Sequence, residues 1–350
     1  MPAKQNRQQR KRILILMLSL GILALLLGFV SRLVSNKTPT GIANHPLTVD
    51  PSQDATNSTQ KYGGLVSPLL FGTNLRLENS NDQVLQSAQT RQQLQHMHIR
   101  IIRMPVRPTL SNETEIQAAQ VIKSIGAYAL VVLRGALDAN VLADDTRLIQ
   151  DMNSVFGSTV VYYEYGNEED LLGINVNRYT DSWNAIVPQL KRIARNGQFI
   201  GPVNFQYDQA YLTAFLQHAR PLPDEISWHE YTCDKSWSND LCLARIDHWT
   251  NHINDARKVM ENIVGKSLPI MITEWNYAPN AQQHDGKIDN NGFMSTWTTR
   301  ALDTLAANHV FASMQFVCTD SVYAFIRDDG TLTAQGEVMK TLYQDMIHSG

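Results

Sequence analysis

Two glutamates in this chain each close a short apolar run. Thr159-Val160-Val161-Tyr162-Tyr163-Glu164-Tyr165 leads into Gly166-Asn167-Glu168, and Leu268-Pro269-Ile270-Met271-Ile272-Thr273 leads into Glu274-Trp275-Asn276. Runs this short, rich in β-branched and aromatic residues, read as buried strands. A carboxylate just past such a strand lies on the rim where α/β barrels carry their chemistry. Two of them, about a hundred residues apart, can face each other across a barrel mouth. Acetal cleavage needs that pair: one acid to protonate the departing oxygen, one carboxylate to trap the oxocarbenium carbon. Different surroundings can divide the two tasks, since burial raises one carboxyl group's proton affinity while hydrogen bonds lower another's. Asn167 adds a donor suited to a sugar 2-hydroxyl, whose hydrogen bond strengthens in the transition state.

The elements that must position these residues follow from hydrophobic patterning. Strands are expected at 69–74, 99–104, 129–133, 159–165, 199–204, 225–229, 270–274 and 310–316. Amphipathic helical stretches at 82–96, 113–125, 178–195, 244–264 and 291–308 lie between them, and a last helix at 334–347 follows. Eight strands, each followed by a helix or a long connection, predict an α/β fold, a (β/α)8 TIM barrel. The competing architecture is an open doubly wound sheet. It calls for a Gly-rich phosphate turn after the first strand, and Phe71-Gly72-Thr73-Asn74-Leu75-Arg76 is not one.

The barrel is expected over 64–350, behind three N-terminal segments. Residues 1–12 form a basic tail. Ile13 to Val30 is an uncharged stretch of eighteen residues, just long enough to span a bilayer as a helix. The basic flank before it keeps the N-terminus cytoplasmic, so the reading is an uncleaved transmembrane signal anchor with the remaining chain outside the cell membrane. A cleaved signal peptide, leaving a secreted domain, is the alternative; Ser31-Arg32-Leu33-Val34-Ser35-Asn36 shows no small-x-small cleavage pattern. Residues 31–63, rich in Thr, Asn, Ser, Pro and Gln, read as a flexible linker.

Charge and motifs exclude several classes. Net charge is −3, from 30 basic and 33 acidic residues. Residues 1–35 hold six bases (Lys4, Arg7, Arg10, Lys11, Arg12 and Arg32) and no acid, so the remainder carries 24 bases against 33 acids. A nucleic-acid partner would need a basic face, and none is expected. No GxSxG elbow, P-loop or GxGxxG occurs, and His229-Glu230-Tyr231-Thr232-Cys233 is not HExxH. No metal and no cofactor is expected. Cys233 and Cys242 lie nine positions apart in a polar loop; they either close it as a disulfide or remain two thiols. Cys318 reads as a buried small hydrophobe.

At this level of detail the chain resembles a family. Gly166-Asn167-Glu168 after a fourth strand and Ile272-Thr273-Glu274-Trp275-Asn276 at the end of a seventh resemble the retaining glycoside hydrolases of clan A. The second segment is most similar to glycoside hydrolase family 39, the β-xylosidase and iduronidase group; Tyr163-Glu164-Tyr165-Gly166-Asn167-Glu168-Glu169-Asp170 also resembles family 79. By strand order the resemblance runs from about Pro68 to Gly350. It implies Glu168 as acid/base, Glu274 as nucleophile and retention of anomeric configuration, on an oligo- or polysaccharide; the signal-anchor reading places that substrate outside the cell. It also implies that Arg103 hydrogen-bonds the nucleophile, that His229 contacts the sugar and that Tyr231 orients the nucleophile. Alternation puts His229 and Tyr231 on one side of their strand. Trp275 is expected to stack on a sugar ring, Asn74 to contact sugar, and Trp228 to be core. Two departures stand out. The acid/base motif reads Asn-Glu-Glu where the family shows Asn-Glu-Pro, and strand eight carries Gln315 and Phe316 where many members carry Trp. They motivate the alternative reading: an inactive barrel kept as a tethered carbohydrate-binding or adhesion module.

Overall fold

Parallel strands joined by helices can splay or close, and here they close. The computed structural model describes Tyr62 and residues 64–348, apart from Val106 and Asp138. The basic tail, the apolar span at 13–30 and nearly all of the linker lie outside the described residues. Among those described, no helix is long and apolar enough to cross a membrane. Tyr62, which the sequence leaves in the linker, is buried and donates to Asp303 Oδ1, so packing reaches back to it.

Eight strands form one closed barrel in sequence order: β1 (Gly72–Asn74), β2 (Ile101–Met104), β3 (Tyr128–Leu133), β4 (Val161–Tyr165), β5 (Gly197–Asn204), β6 (Glu225–Tyr231), β7 (Ile270–Asn276) and β8 (Ala312–Gln315). All neighbours pair in parallel, and β1 meets β8 at Gly72↔Met314. Closure removes every sheet edge. The (β/α)8 expectation is met, and the open sheet is excluded.

The helices among the described residues are α1 (Gln83–Gln86), α2 (Ala88–His96), α3 (Asn112–Ile125), α4 (Val141–Phe156), α5 (Val176–Ile193), α6 (Gln209–His218), α7 (Asn239–Arg245), α8 (Asp247–Val264), α9 (Asn291–Ala307) and α10 (Ala334–Tyr343). Local chemistry sets their ends. The Ser111 hydroxyl caps α3 by accepting from Thr114 N, and Gly126 ends it at φ 83°, a conformation that costs glycine little. The helix expected at 82–96 breaks at Ser87, which turns extended and caps α2 through Thr90 N. The one expected at 244–264 is two, breaking at Ile246.

Period-two alternation sorts the strand side chains into two compartments. Outward residues pack under the helices. Inward ones fill the barrel, and its lower part is an apolar plug of Ile101, Leu130, Tyr162, Ile200, Met271, Ala312 and Met314. Above the plug, β2 and β4 place Arg103 and Glu164, two residues beyond Ile101 and Tyr162. The barrel is thus dry below and charged above.

Candidate active site

Arg103 is the hub of the charged layer. It is 3% exposed, and all three of its nitrogens donate within the barrel. Nε donates to Glu164 Oε2 at 2.5 Å, Nη1 donates to Asn74 Oδ1 at 3.0 Å and to Glu274 Oε1, and Nη2 donates to Asn167 Oδ1 at 2.5 Å. Burial opposes the guanidinium charge, but Glu164 and Glu274 outweigh it and raise its proton affinity.

Glu274 reaches this hub because β7 breaks its alternation. Met271 faces the plug, so regular pleating would turn Thr273 and Trp275 inward and Glu274 outward. Instead the register shifts against both neighbours: Trp228 pairs Ile272 but His229 pairs Glu274, and the β8 pairing slips between Ile272 and Trp275. An extra residue in one strand flips the side chains beyond it. Glu274 therefore points into the mouth, with Tyr231 donating to its Oε2 at 2.9 Å. Burial pushes the Glu274 carboxyl up; His229, Arg103 and the Tyr231 hydroxyl outweigh it and hold it below the ordinary carboxylate range.

The same bulge sends Trp275 the other way. Expected to stack on sugar, it is fully buried on the outer face, 6.0 Å from the Trp297 ring and 6.4 Å from Trp249, with Nε1 donating to Ser313. Trp275 is core. Asn74 also departs from expectation. It is 1% exposed, its Nδ2 donates to the carbonyls of Thr273, Met314 and Gln315, and its Oδ1 holds Arg103. With its capacity spent inside the barrel, it supports the hub rather than the mouth. Trp228 is buried and outward, donating to Glu230 Oε1.

Glu168 stands on a strained turn. Gly166 at φ 84° lets the chain leave β4 sharply, and Glu168 itself sits at φ 48°, tied to β5 by its N–H to Val203 O at 3.0 Å. Such a conformation in a non-glycine residue costs on the order of 1–3 kcal/mol and clusters at functional sites. It brings Glu168 Oε1 to 2.7 Å from His229 Nδ1. His229 Nδ1 also lies 3.8 Å from Glu274 Oε2. Burial depresses the imidazolium, but the two carboxylates outweigh it and raise its proton affinity above the ordinary histidine value. Asn167 is exposed; with its oxygen committed to Arg103, its amide hydrogens remain as donors.

The second glutamate of Asn-Glu-Glu stays out of the mouth. Glu169 is 3% exposed and folds back beneath the turn, where Oε1 accepts from Leu137 N at 3.4 Å and burial pushes its carboxyl up to about 7. At β8, Gln315 turns outward to Gln335 and Tyr323 O, whereas Phe316 is half-buried at the strand end, edge-on to Tyr323. Cys233 and Cys242 are joined in a disulfide, and Cys318 is buried.

Glu164 escaped the sequence reading. It was visible only as one more polar residue within the β4 run, and nothing in its spacing marks it as an ion-pair partner of Arg103.

The decisive geometry is short. Glu168, His229 and Glu274 each bring one side-chain atom within 4.8 Å of the others. Three such atoms could ligate a cation. They do not suit one here, because Arg103 and Tyr231 already occupy both oxygens of Glu274, and a metal would stand against a guanidinium.

Comparison with known proteins adds the fold. No protein-family model matches the chain, and no curated protein matches it. Solved structures do. The family 51 arabinofuranosidase from Xanthomonas axonopodis pv. citri is 16% identical at a TM-score of 0.63, over 80% of this chain and 73% of that one. An α-L-arabinofuranosidase from Thermotoga maritima, solved with arabinose, is 13% identical at 0.64 over 80% and 73%. A GH5-4 broad-specificity endoglucanase from an uncultured bacterium is 11% identical at 0.54, over 85% of this chain and 98% of that one. These likenesses establish a barrel fold shared with glycoside hydrolases and single out neither family 39 nor family 79.

Proposed function

We propose that the protein is a retaining glycoside hydrolase that works by double displacement. One observation supports this most: carboxylate oxygens of Glu168 and Glu274 lie within 4.8 Å of each other. Retaining enzymes hold their two carboxyl groups about 5–5.5 Å apart, and inverting ones leave room for a water between them. Glu274, kept ionised by Arg103, Tyr231 and His229, attacks the anomeric carbon. Glu168 gives its proton to the leaving oxygen as the glycosidic bond breaks. A water then gives a proton to Glu168 and attacks the same carbon, releasing Glu274. Once Glu274 is esterified its charge is gone, and the site as a whole holds protons less tightly, which favours this second role. Positive charge developing on the sugar meets the ionised Glu274 carboxylate as its bond to the anomeric carbon forms.

The apolar span at 13–30, with its basic flank, supports a domain tethered outside the membrane, where its substrates would be extracellular glycans. The test is hydrolysis of a broad aryl-glycoside panel by the full-length protein, with product stereochemistry followed by NMR. Retention is expected. Glu274→Gln should abolish turnover. Glu168→Gln should lower it about 10²–10⁴-fold on poor leaving groups, and much less on activated ones. Sugar binding without turnover in the wild type would favour the inactive binding module, and inversion would refute double displacement.

A further inference from the structure

We propose that Glu164 is a positioning residue that sets how strongly Arg103 holds the nucleophile. The inference rests on the hydrolase reading for its kinetic consequence, but its geometry stands alone. Glu164 is fully buried and inward on β4, two residues above the apolar plug residue Tyr162. Its Oε2 takes Arg103 Nε at 2.5 Å in an ion pair whose side chains are 0% and 3% exposed. A guanidinium is a rigid plane, so anchoring Nε fixes where Nη1 and Nη2 point. They point at Glu274 and Asn167, the nucleophile and the neighbour of the acid/base.

Charge adds what geometry alone does not need. One cation is shared between two carboxylates. A neutral acceptor at 164 would hold Nε as well, without burying a second negative charge whose Oε1 has no partner among the described residues. The charge has an effect: it divides Arg103's attraction. Were Glu164 neutral, the full guanidinium charge would fall on Glu274, leaving an over-stabilised, less basic carboxylate. The groups around Glu274 are Arg103 from β2, with Glu164 of β4 on the far side of its guanidinium, Glu168 from the turn after β4, and His229 and Tyr231 from β6. The strand β8 (Ala312–Gln315) carries no ionisable residue. Of Glu164 and Glu168, Glu164 is the one paired directly with Arg103 in this structure.

The experiment is a ¹³C-carboxyl NMR titration of full-length protein, with Glu274 assigned by difference against Glu274→Gln. In Glu164→Gln the Glu274 midpoint should fall by about one pH unit, the effect of removing a nearby like charge. The acidic limb of the rate profile should move the same way, and kcat should fall by up to about tenfold with KM little changed. If Glu164 merely braces Arg103, the Gln oxygen holds Nε as well and the midpoint stays where it is, which overturns the proposal; a midpoint that rises overturns it too. Glu164→Asp keeps the charge but shortens the reach. It should leave the midpoint near wild type while lowering kcat, and wild-type kcat there would refute the positioning role even if Glu164→Gln fails to fold. A wild type inactive on every glycoside sinks the hydrolase reading and leaves the titration intact.

Discussion

Replacing Arg103 with Met removes one cation from between two buried carboxylates, and the structure sets the size of the effect. Glu164 and Glu274 have side-chain exposures of 0% and 10%, and both pair with Arg103. Breaking a buried pair costs about 3–5 kcal/mol, because a bare charge stays behind. A carboxylate can escape by taking a proton. From an ordinary value near 4.3, that costs about 3.7 kcal/mol at pH 7 and about 1 kcal/mol at pH 5, which caps the loss for each group. Glu274 retains His229 and Tyr231, whereas Glu164 keeps no hydrogen-bond partner among the described residues, so one carboxylate dominates. The signs agree. In the wild type, the lowered Glu274 contributes stability above its unfolded value that is lost as pH falls through its folded one. In Arg103→Met, burial, the largest influence on Glu274, is opposed by fewer partners. Its proton affinity rises past that in the wild-type site, so the stability it contributes at higher pH shrinks and the deficit against the wild type grows as pH rises. The two curves therefore converge toward acid. Thermal unfolding by circular dichroism should show a Tm deficit of roughly 6 °C at pH 7, shrinking to roughly 2 °C at pH 5. A deficit equal at both pH values would refute the charge account and leave only lost packing.

Two further outcomes follow from the same site and its surroundings. Tyr231→Phe deletes the hydroxyl donating to Glu274 Oε2, a charge-assisted bond of about 1.5–3 kcal/mol. Glu274 should then hold its proton more tightly, and the acidic limb of the pH–rate profile should move up by about one unit; a limb that moves down contradicts the assignment. The Cys233–Cys242 bridge closes a loop nine positions long, so the double Ser variant should lose about 2–3 kcal/mol by thermal or urea unfolding. An unchanged Tm would show that the loop is held by its other contacts.

Much of the fold was open to reading because it is local. Apolar runs, polar gaps and helix caps recur along the chain, and eight such units have few ways to bury their faces. Helix breaks at Ser87 and Ile246 escaped because helical periodicity runs through both positions. At the mouth, Glu168, Asn167, His229 and Tyr231 were legible as polar residues at or just past strand ends. Glu164 was not, since its meaning lies in Arg103, sixty-one positions away.

Trp275 marks the boundary most clearly. Composition and order along the chain were enough to say that β7 ends in a carboxylate and an aromatic residue side by side. Which one enters the mouth depends on parity, and parity depends on register against β6 and β8. One extra residue between Ile272 and Trp275 reverses it, sending Glu274 to Arg103 and Trp275 to the tryptophans under the helices. A strand's own residues specify its period of two, but only its hydrogen-bonded neighbours decide where that period slips.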